Sequence, residues 1–247
     1  MIYDKFSKYY DQFLDLDLYD TYYKLIKKYK KNGTVIDLGT GTGILAIKLA
    51  SDEFFVTATD ISTRMLEMAY NNALLAKKDV KFYVHNILEP LNKPYDLLIM
   101  SSDVINYLSS ELEIKKAFIN IYNAMDKKSI FIFDFLRVEY LDSLDDFTED
   151  IDLGDTFIKW SITKTEVNNQ VKHTLKMNDD VEIHIQTTYE LKKYKELLNS
   201  ENLKVLKTKV LNERIILVCG RKSIWFPFKI SFLNRCIILA YVILESK

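Results

Sequence analysis

An acid and three glycines at strict two-residue spacing, Asp37, Gly39, Gly41 and Gly43, close a β-branched run and open an Ile/Leu/Ala-rich segment with helical period. Strand, glycine turn and helix together make a cradle for a nucleotide-type ligand. Glycine accepts positive φ and lets a ligand approach where a Cβ would collide, while the helix start leaves backbone N–H groups facing that ligand. A second strand over residues 54–59 ends in Asp60, where a ribose-binding carboxylate is wanted one βαβ step beyond the glycines.

Further chemistry-bearing residues lie downstream. Ser101, Ser102 and Asp103 follow a strand over 95–100, and Asp134 sits near the end of a strand over 130–135. Open α/β sheets take ligands at such carboxyl ends, which places Asp103 for substrate contact; Asp134 shares that logic, with capping or loop ordering as its structural alternative. Glu182, His184 and Gln186 project to one face of a strand by the period of two. If that face looks into a pocket, His184 takes a proton from an amine or hydroxyl; otherwise the three form the solvent face of a half-exposed sheet. His173, between Lys172 and Thr174, reads as surface, and His85 as a strand-end or pocket-rim residue. Cys219 and Cys236 have no CxxC partner and no His/Cys cluster around them, so neither a disulfide framework nor a metal site is expected.

The elements that must position these residues alternate. A helical aromatic segment within 1–31 stops at Gly33, and strands over 35–38, 54–59, 80–84, 95–100 and 130–135 are separated by helices over 61–76 and from Ser110 to about residue 125. Such alternation implies an α/β fold, a mostly parallel sheet with helices on both faces. The pattern then changes. An acidic connector over 141–155 leads to two or three antiparallel strands over 157–188, a helix over 191–198 capped by Thr187 and Glu190, and a hairpin of 204–211 with 214–219. The chain of 247 residues is 48% hydrophobic with a formal net charge of −1, enough for one large domain and an appendage. Its dispersed lysines make no broad basic field, which disfavours a nucleic-acid partner. The mixed-charge, aromatic N-terminus lacks the pattern of a secretion signal, so a cytoplasmic location is expected. The run 224–244 is almost wholly apolar, but Pro227, Lys229 and Arg235 argue against a simple membrane span. Three roles stay open for it: an element packed on the domain, a dimer contact, or a helix in a membrane interface.

Over roughly residues 1–220 the chain resembles the class I S-adenosylmethionine-dependent methyltransferases. Asp37-Leu38-Gly39-Thr40-Gly41-Thr42-Gly43 is similar to their first motif, and Asp60 with Ile61-Ser62 and Met65-Leu66 to their ribose-binding step. Tyr95-Asp96-Leu97-Leu98 through Asn106-Tyr107-Leu108 resembles the fourth-strand region of bacterial members acting on small molecules, and Phe6-Ser7-Lys8-Tyr9-Tyr10-Asp11 their aromatic opening over the cofactor. The antiparallel insertion resembles the small lid of members related to sugar N,N-dimethyltransferases. The resemblance implies a Rossmann-like seven-stranded sheet with its last strand antiparallel, and S-adenosyl-L-methionine as methyl donor. Gly39, Gly41 and Gly43 would border its amino-acid moiety, with Asp37 facing the ammonium and Asp60 accepting from both ribose hydroxyls. Asn86, where the family often has Asp, and Ile87 would flank the adenine. Ile61, Met65 and Ser101 would join the donor site, and Tyr10 would pack on the sulfonium. Residues 1–140 with 189–222 would form the methyltransferase domain, 141–188 the inserted lid and 223–247 a hydrophobic tail. The acceptor would be a small molecule methylated on nitrogen or oxygen, with Asp103 and His184 as candidate catalytic residues. The alternatives are an RNA or protein acceptor, or a non-catalytic donor-binding regulator. A dinucleotide oxidoreductase, the rival for the glycine turn, would carry GxGxxG rather than GxGxG.

Overall fold

The computed structural model describes residues 6–178 and 180–222; the apolar run 224–244, with its three open roles, lies outside them. A 3-10 segment, Phe6–Phe13, precedes α1 (Leu16–Tyr29), which starts where the Asp15 carboxylate accepts from the Leu18 N–H at 3.1 Å. The elements that follow are β1 (Gly33–Leu38), α2 (Ile44–Ala50), β2 (Phe54–Asp60), α3 (Thr63–Ala76), β3 (Val80–Val84), β4 (Tyr95–Met100), α4 (Glu111–Asn123) and β5 (Met125–Leu136). Next come α5 (Val138–Ser143), β6 (Phe147–Asp152), β7 (Phe157–Lys164), β8 (Gln170–Met177), β9 (Asp180–Thr187), α6 (Leu191–Ser200), β10 (Leu203–Val210) and β11 (Arg214–Arg221).

Seven strands form one sheet in the order β10-β11-β5-β4-β1-β2-β3, in which β11 alone runs antiparallel, to both β5 and β10. The reversal of strand order between β1 and β4 opens a crevice at the carboxyl ends of the strands, where the glycine turn lies. The central strands β1, β4, β5 and β11 are buried on both faces. Phe131, Phe133 and Phe135 of β5 pack with Phe118 and Tyr194 of α4 and α6, while Ile130 and Ile132 face Tyr22, Ile26 and Leu45 of α1 and α2. Asp134 shares the isoleucine face by the period of two and meets Tyr22 there.

The second sheet has four antiparallel strands, β6-β7-β8-β9, where two or three were expected. The acidic connector is in part a strand: β6 is an edge strand whose Glu149 and Asp150 point to solvent, and edge charge hides the apolar alternation that marks a strand. Asn106 ties this lid to the main sheet, donating to the Thr187 carbonyl at 2.8 Å and accepting from the Leu136 N–H at 3.0 Å. Thr187 does not cap α6 as expected, since its hydroxyl takes a bond from Gln170 instead. Among the described residues no helix is long and apolar enough to cross a membrane.

Candidate active site

The glycine turn is held in a conformation that side chains would break. Gly39 has φ +74°, and a Cβ there would lie 2.5 Å from a Val104 methyl; Gly41 has φ +57°, with the Tyr10 ring 3.6 Å from where its Cβ would be. The Asp60 carboxylate fastens this turn to the end of β2, accepting from the Gly41 N–H at 3.0 Å and from the Ser62 N–H at 2.9 Å. Burial raises Asp60 above the usual carboxylate range against those amide bonds. Asp37 lies underneath, 1% exposed, with Oδ2 accepting from the Thr40 hydroxyl at 2.7 Å. Its Oδ1 has no hydrogen-bond partner among the described residues, and burial pushes the carboxyl up to about 6. Asp37 thus holds an orphaned carboxylate oxygen beneath the glycine cradle, although, like Gly43, it is not on the wall of the cavity above.

Above the turn is a cavity of about 240 Å³. Gly39, Gly41, Asp60, Ile61 and Met65 line it together with Asn86, Ile87, Ser101 and Tyr10. Gly43 is a correction: it lies off this wall, as the N-cap of α2 at φ +84°, where a Cβ would come 3.0 Å from that of Ala69. Its smallness serves helix packing rather than the ligand. Asn86 accepts from the Leu88 N–H at 3.0 Å, which engages its oxygen in the turn and leaves its NH₂ uncommitted by that bond, and the residue lines the cavity. His85 is indeed on the rim, held below its ordinary value by burial. Tyr19, Thr40 and Tyr107 line the same space. Thr40 and Tyr107 stand within the family-like motifs but carry no assigned role there, and Tyr19, on α1, has no spacing that ties it to the glycine turn.

A second cavity, about 430 Å³, lies between the main sheet and the lid. Glu182, His184 and Gln186 face inward, at 7%, 3% and 5% exposure, while Val181 and Ile183 of the same strand are more than half exposed. The solvent-face reading therefore fails, because β9 turns its polar row to the cavity and its apolar row out. His173 is also corrected. Lys172 and Thr174, which made it look like surface, point to the opposite side of β8, and His173 lines the cavity beside His184, its partner across the β8–β9 ladder. The Tyr107 ring packs edge-on against His184.

On the main-sheet side, one terminal nitrogen of Arg214 donates to Asp103 at 2.9 Å and to Asp134 at 2.7 Å. Tyr22 also donates to Asp134, the Asp103 N–H donates to it at 3.2 Å, and Gln186 donates to the other Asp103 oxygen at 2.7 Å. Burial alone would pull the Arg214 guanidinium down, but the two carboxylates outweigh it and hold it above its ordinary range. Asp134 orders this loop, as its structural alternative held. Both Asp103 oxygens are engaged, so Asp103 positions the lid against β4 instead of standing as an open proton acceptor. Arg214 had no sequence signal beyond a charge at a strand start. Tyr10, Tyr19, Ser102 and Tyr107 line both cavities, so the two spaces share a ring of hydroxyl-bearing side chains as a common boundary. Burial raises the Tyr19 phenol to about 12, which keeps it protonated. Among the described residues no group of three His, Cys, Asp or Glu side chains is arranged to hold a metal ion.

Residues 29–202 match the model of a methyltransferase domain. A protein of Geobacillus sp. (strain WCH70), named as a methyltransferase with no acceptor given, is 29% identical over 224 residues, covering 83% of this chain and 90% of its own. An S-adenosylmethionine-dependent methyltransferase from Clostridium acetobutylicum superposes with a TM-score of 0.78 at 22% identity, over 90% of this chain and 99% of that one. The sugar N-methyltransferase KedS8 from Streptoalloteichus sp. does so with a TM-score of 0.67 at 11% identity, over 90% and 94%.

Proposed function

The chain belongs to the class I S-adenosylmethionine-dependent methyltransferases, and from that membership we propose that it methylates a nitrogen or oxygen of a small molecule held under the β6–β9 lid. S-adenosylmethionine is the methyl donor, and it supplies an electrophilic methyl group on a sulfonium. The observation that carries the reading is that Tyr10, Tyr19, Ser102 and Tyr107 line both the cavity at the glycine turn and the one beneath the lid, which makes the two neighbours.

In this reading Asp37 takes the ammonium of the donor on its orphaned Oδ1, and Asp60, already fixed by two backbone amides, offers its remaining lone pairs to the ribose hydroxyls. The Asn86 NH₂ donates to an adenine ring nitrogen, and Ile61, Met65 and Ile87 supply apolar walls. Tyr10, over Gly41, gives the sulfonium an aromatic face. Direct displacement rewards alignment above all, so the chief task of this chain is to hold the nucleophile in line at the shared ring and keep water out. The buried lid serves that purpose. His184, packed on Tyr107, is the residue placed to receive the proton of an amine or hydroxyl acceptor. The aromatic walls of the lid cavity, with Phe13, Tyr140, Phe147 and Trp160, suit a compact organic molecule better than a polymer strand.

The test is incubation with S-adenosylmethionine and a panel of amines, phenols and alcohols, followed by mass spectrometry for a 14 Da gain (roughly one methylene, as methyl replaces hydrogen) and for S-adenosylhomocysteine. Turnover on one small-molecule class that Tyr107→Ala abolishes, with donor affinity largely retained, supports the reading. Donor binding with no transfer to any panel member would favour a non-catalytic role.

A further inference from the structure

The wall of the lid cavity contains a hydrogen-bond donor whose proton position is set by the fold. The Trp160 indole N–H on β7 donates to Nδ1 of His173 on β8 at 3.3 Å. An indole can only donate, so Nδ1 must be bare and the neutral ring must carry its proton on Nε2. That Nε2 is buried and makes no aligned hydrogen bond among the described residues. Gln186 approaches from β9 with its amide nitrogen committed to Asp103, so its carbonyl oxygen is the end left for His173, without the alignment of a formed bond to Nε2. Resting on the acceptor-cavity reading above, we infer that His173 is a specificity residue: it presents a fixed Nε2–H to the acceptor, and the acceptor carries a neutral oxygen, hydroxyl or carbonyl, against it.

Charge on the cavity wall narrows the oxygen to a neutral one. Asp15, Asp103 and Glu213 line the space with a single arginine, Arg214, which is already shared between Asp103 and Asp134, so a carboxylate or phosphate would enter a field of its own sign. Burial pushes His173 down to about 4, against the pull of Asp103 and Gln186, so the ring stays neutral and keeps the same proton at ordinary pH. The ring is therefore a poor base and a constant donor. His184, its ladder partner, stands nearer the shared ring of tyrosines through Tyr107, which separates the two histidines into one that anchors and one that faces the chemistry.

Two measurements test this on the full chain. Long-range 1H–15N spectra of histidine-labelled protein should show the Nε2–H tautomer at His173 unchanged from about pH 5.5 to 9, well above where its burial lets it titrate; an Nδ1–H form, or titration near the ordinary histidine value, overturns the inference. Calorimetry on protein saturated with S-adenosylhomocysteine then compares cyclohexylamine with aminocyclohexanols, and benzylamine with hydroxybenzylamines. At least one oxygenated probe should bind about 10-fold tighter than its parent, the scale of one buried hydrogen bond. That preference should vanish in His173→Phe, which keeps a ring beside Trp160, and return in part in His173→Gln. No preference in wild type, or one that His173→Phe leaves intact, overturns the inference. Wild type that fails to bind S-adenosylhomocysteine would strike at the donor site instead, which separates the two failures.

Discussion

Asp37 offers the sharpest test of the donor site, because one proton there switches two equilibria in opposite directions. Its carboxyl is raised by burial to about 6 from an ordinary 3.8, and its Oδ1 has no partner among the described residues. A raised acid favours the folded protein when protonated. That contribution is fully present below the unfolded value and is lost as pH rises through about 6; the gap amounts to roughly 3 kcal/mol. Ligand binding runs the other way, since an ammonium needs the carboxylate. At pH 7.5 nearly every site is ionised, and at pH 5 only about one in ten, so S-adenosylhomocysteine affinity should fall about 10-fold between those values. At pH 6 binding should expel roughly half a proton, read from calorimetry in two buffers of different ionisation enthalpy. Asp37→Asn should weaken binding roughly 10- to 100-fold at pH 7.5, the worth of a charged hydrogen bond, and flatten the slope. Asp60, His85 and Glu113 line the cavity above Asp37, so only the part of the slope that Asp37→Asn removes is assigned to Asp37. Wild-type affinity that stays level from pH 7.5 to 5, or a slope unchanged in Asp37→Asn, would refute the assignment.

Other perturbations follow from the same geometry. Asp60→Ala should weaken S-adenosylhomocysteine by roughly 1.5–3 kcal/mol in calorimetry, since it removes a charged acceptor and releases the Gly41 amide; unchanged affinity would remove Asp60 from the site. Gly39→Ala combines a φ of +74° with a Cβ 2.5 Å from Val104, and should cost about 1–3 kcal/mol in urea unfolding. Adding Val104→Ala should recover the steric part and leave the backbone part; if it recovers nothing, the Val104 contact is not the cause. Arg214→Met strands Asp103 and Asp134 without their shared cation, with an expected loss of about 3–5 kcal/mol. Asp134→Asn in that background should restore part of it, and additive losses would disprove the coupling.

The donor half of the site was legible in the sequence because its parts are local. A strand, a glycine turn and a helix need only a dozen consecutive residues, and Asp60 follows at one βαβ step, so Asp37, Gly39, Gly41 and Asp60 could be placed together before any fold was seen. Asn86, Ile87 and Ser101 rested on likeness to a family, and the structure puts each on the cavity wall. Gly43 shows the limit of motif reading, for three glycines at one spacing look alike until Ala69 is found against the third. The strand and helix alternation similarly carried the mostly parallel sheet, its seven strands and antiparallel last strand came through the likeness, and the edge strand β6 was hidden by its own charges.

What the sequence by itself determined is thus the fold class and the glycine turn with the acid at the end of the next strand, written in short spacings along the chain. Tertiary structure alone decided the lid cavity. Period-two alternation groups Glu182, His184 and Gln186 on one face but is blind to which face is buried, and only the packing of the lid on β4, β5 and the N-terminal segment turned that row inward. The same packing brought Arg214 to Asp103 across 111 residues and Tyr22 to Asp134 across 112. Side chains so far apart in the chain have no mutual spacing to read, and their chemistry exists only once the backbone hydrogen bonds and the apolar core have fixed where each strand lies.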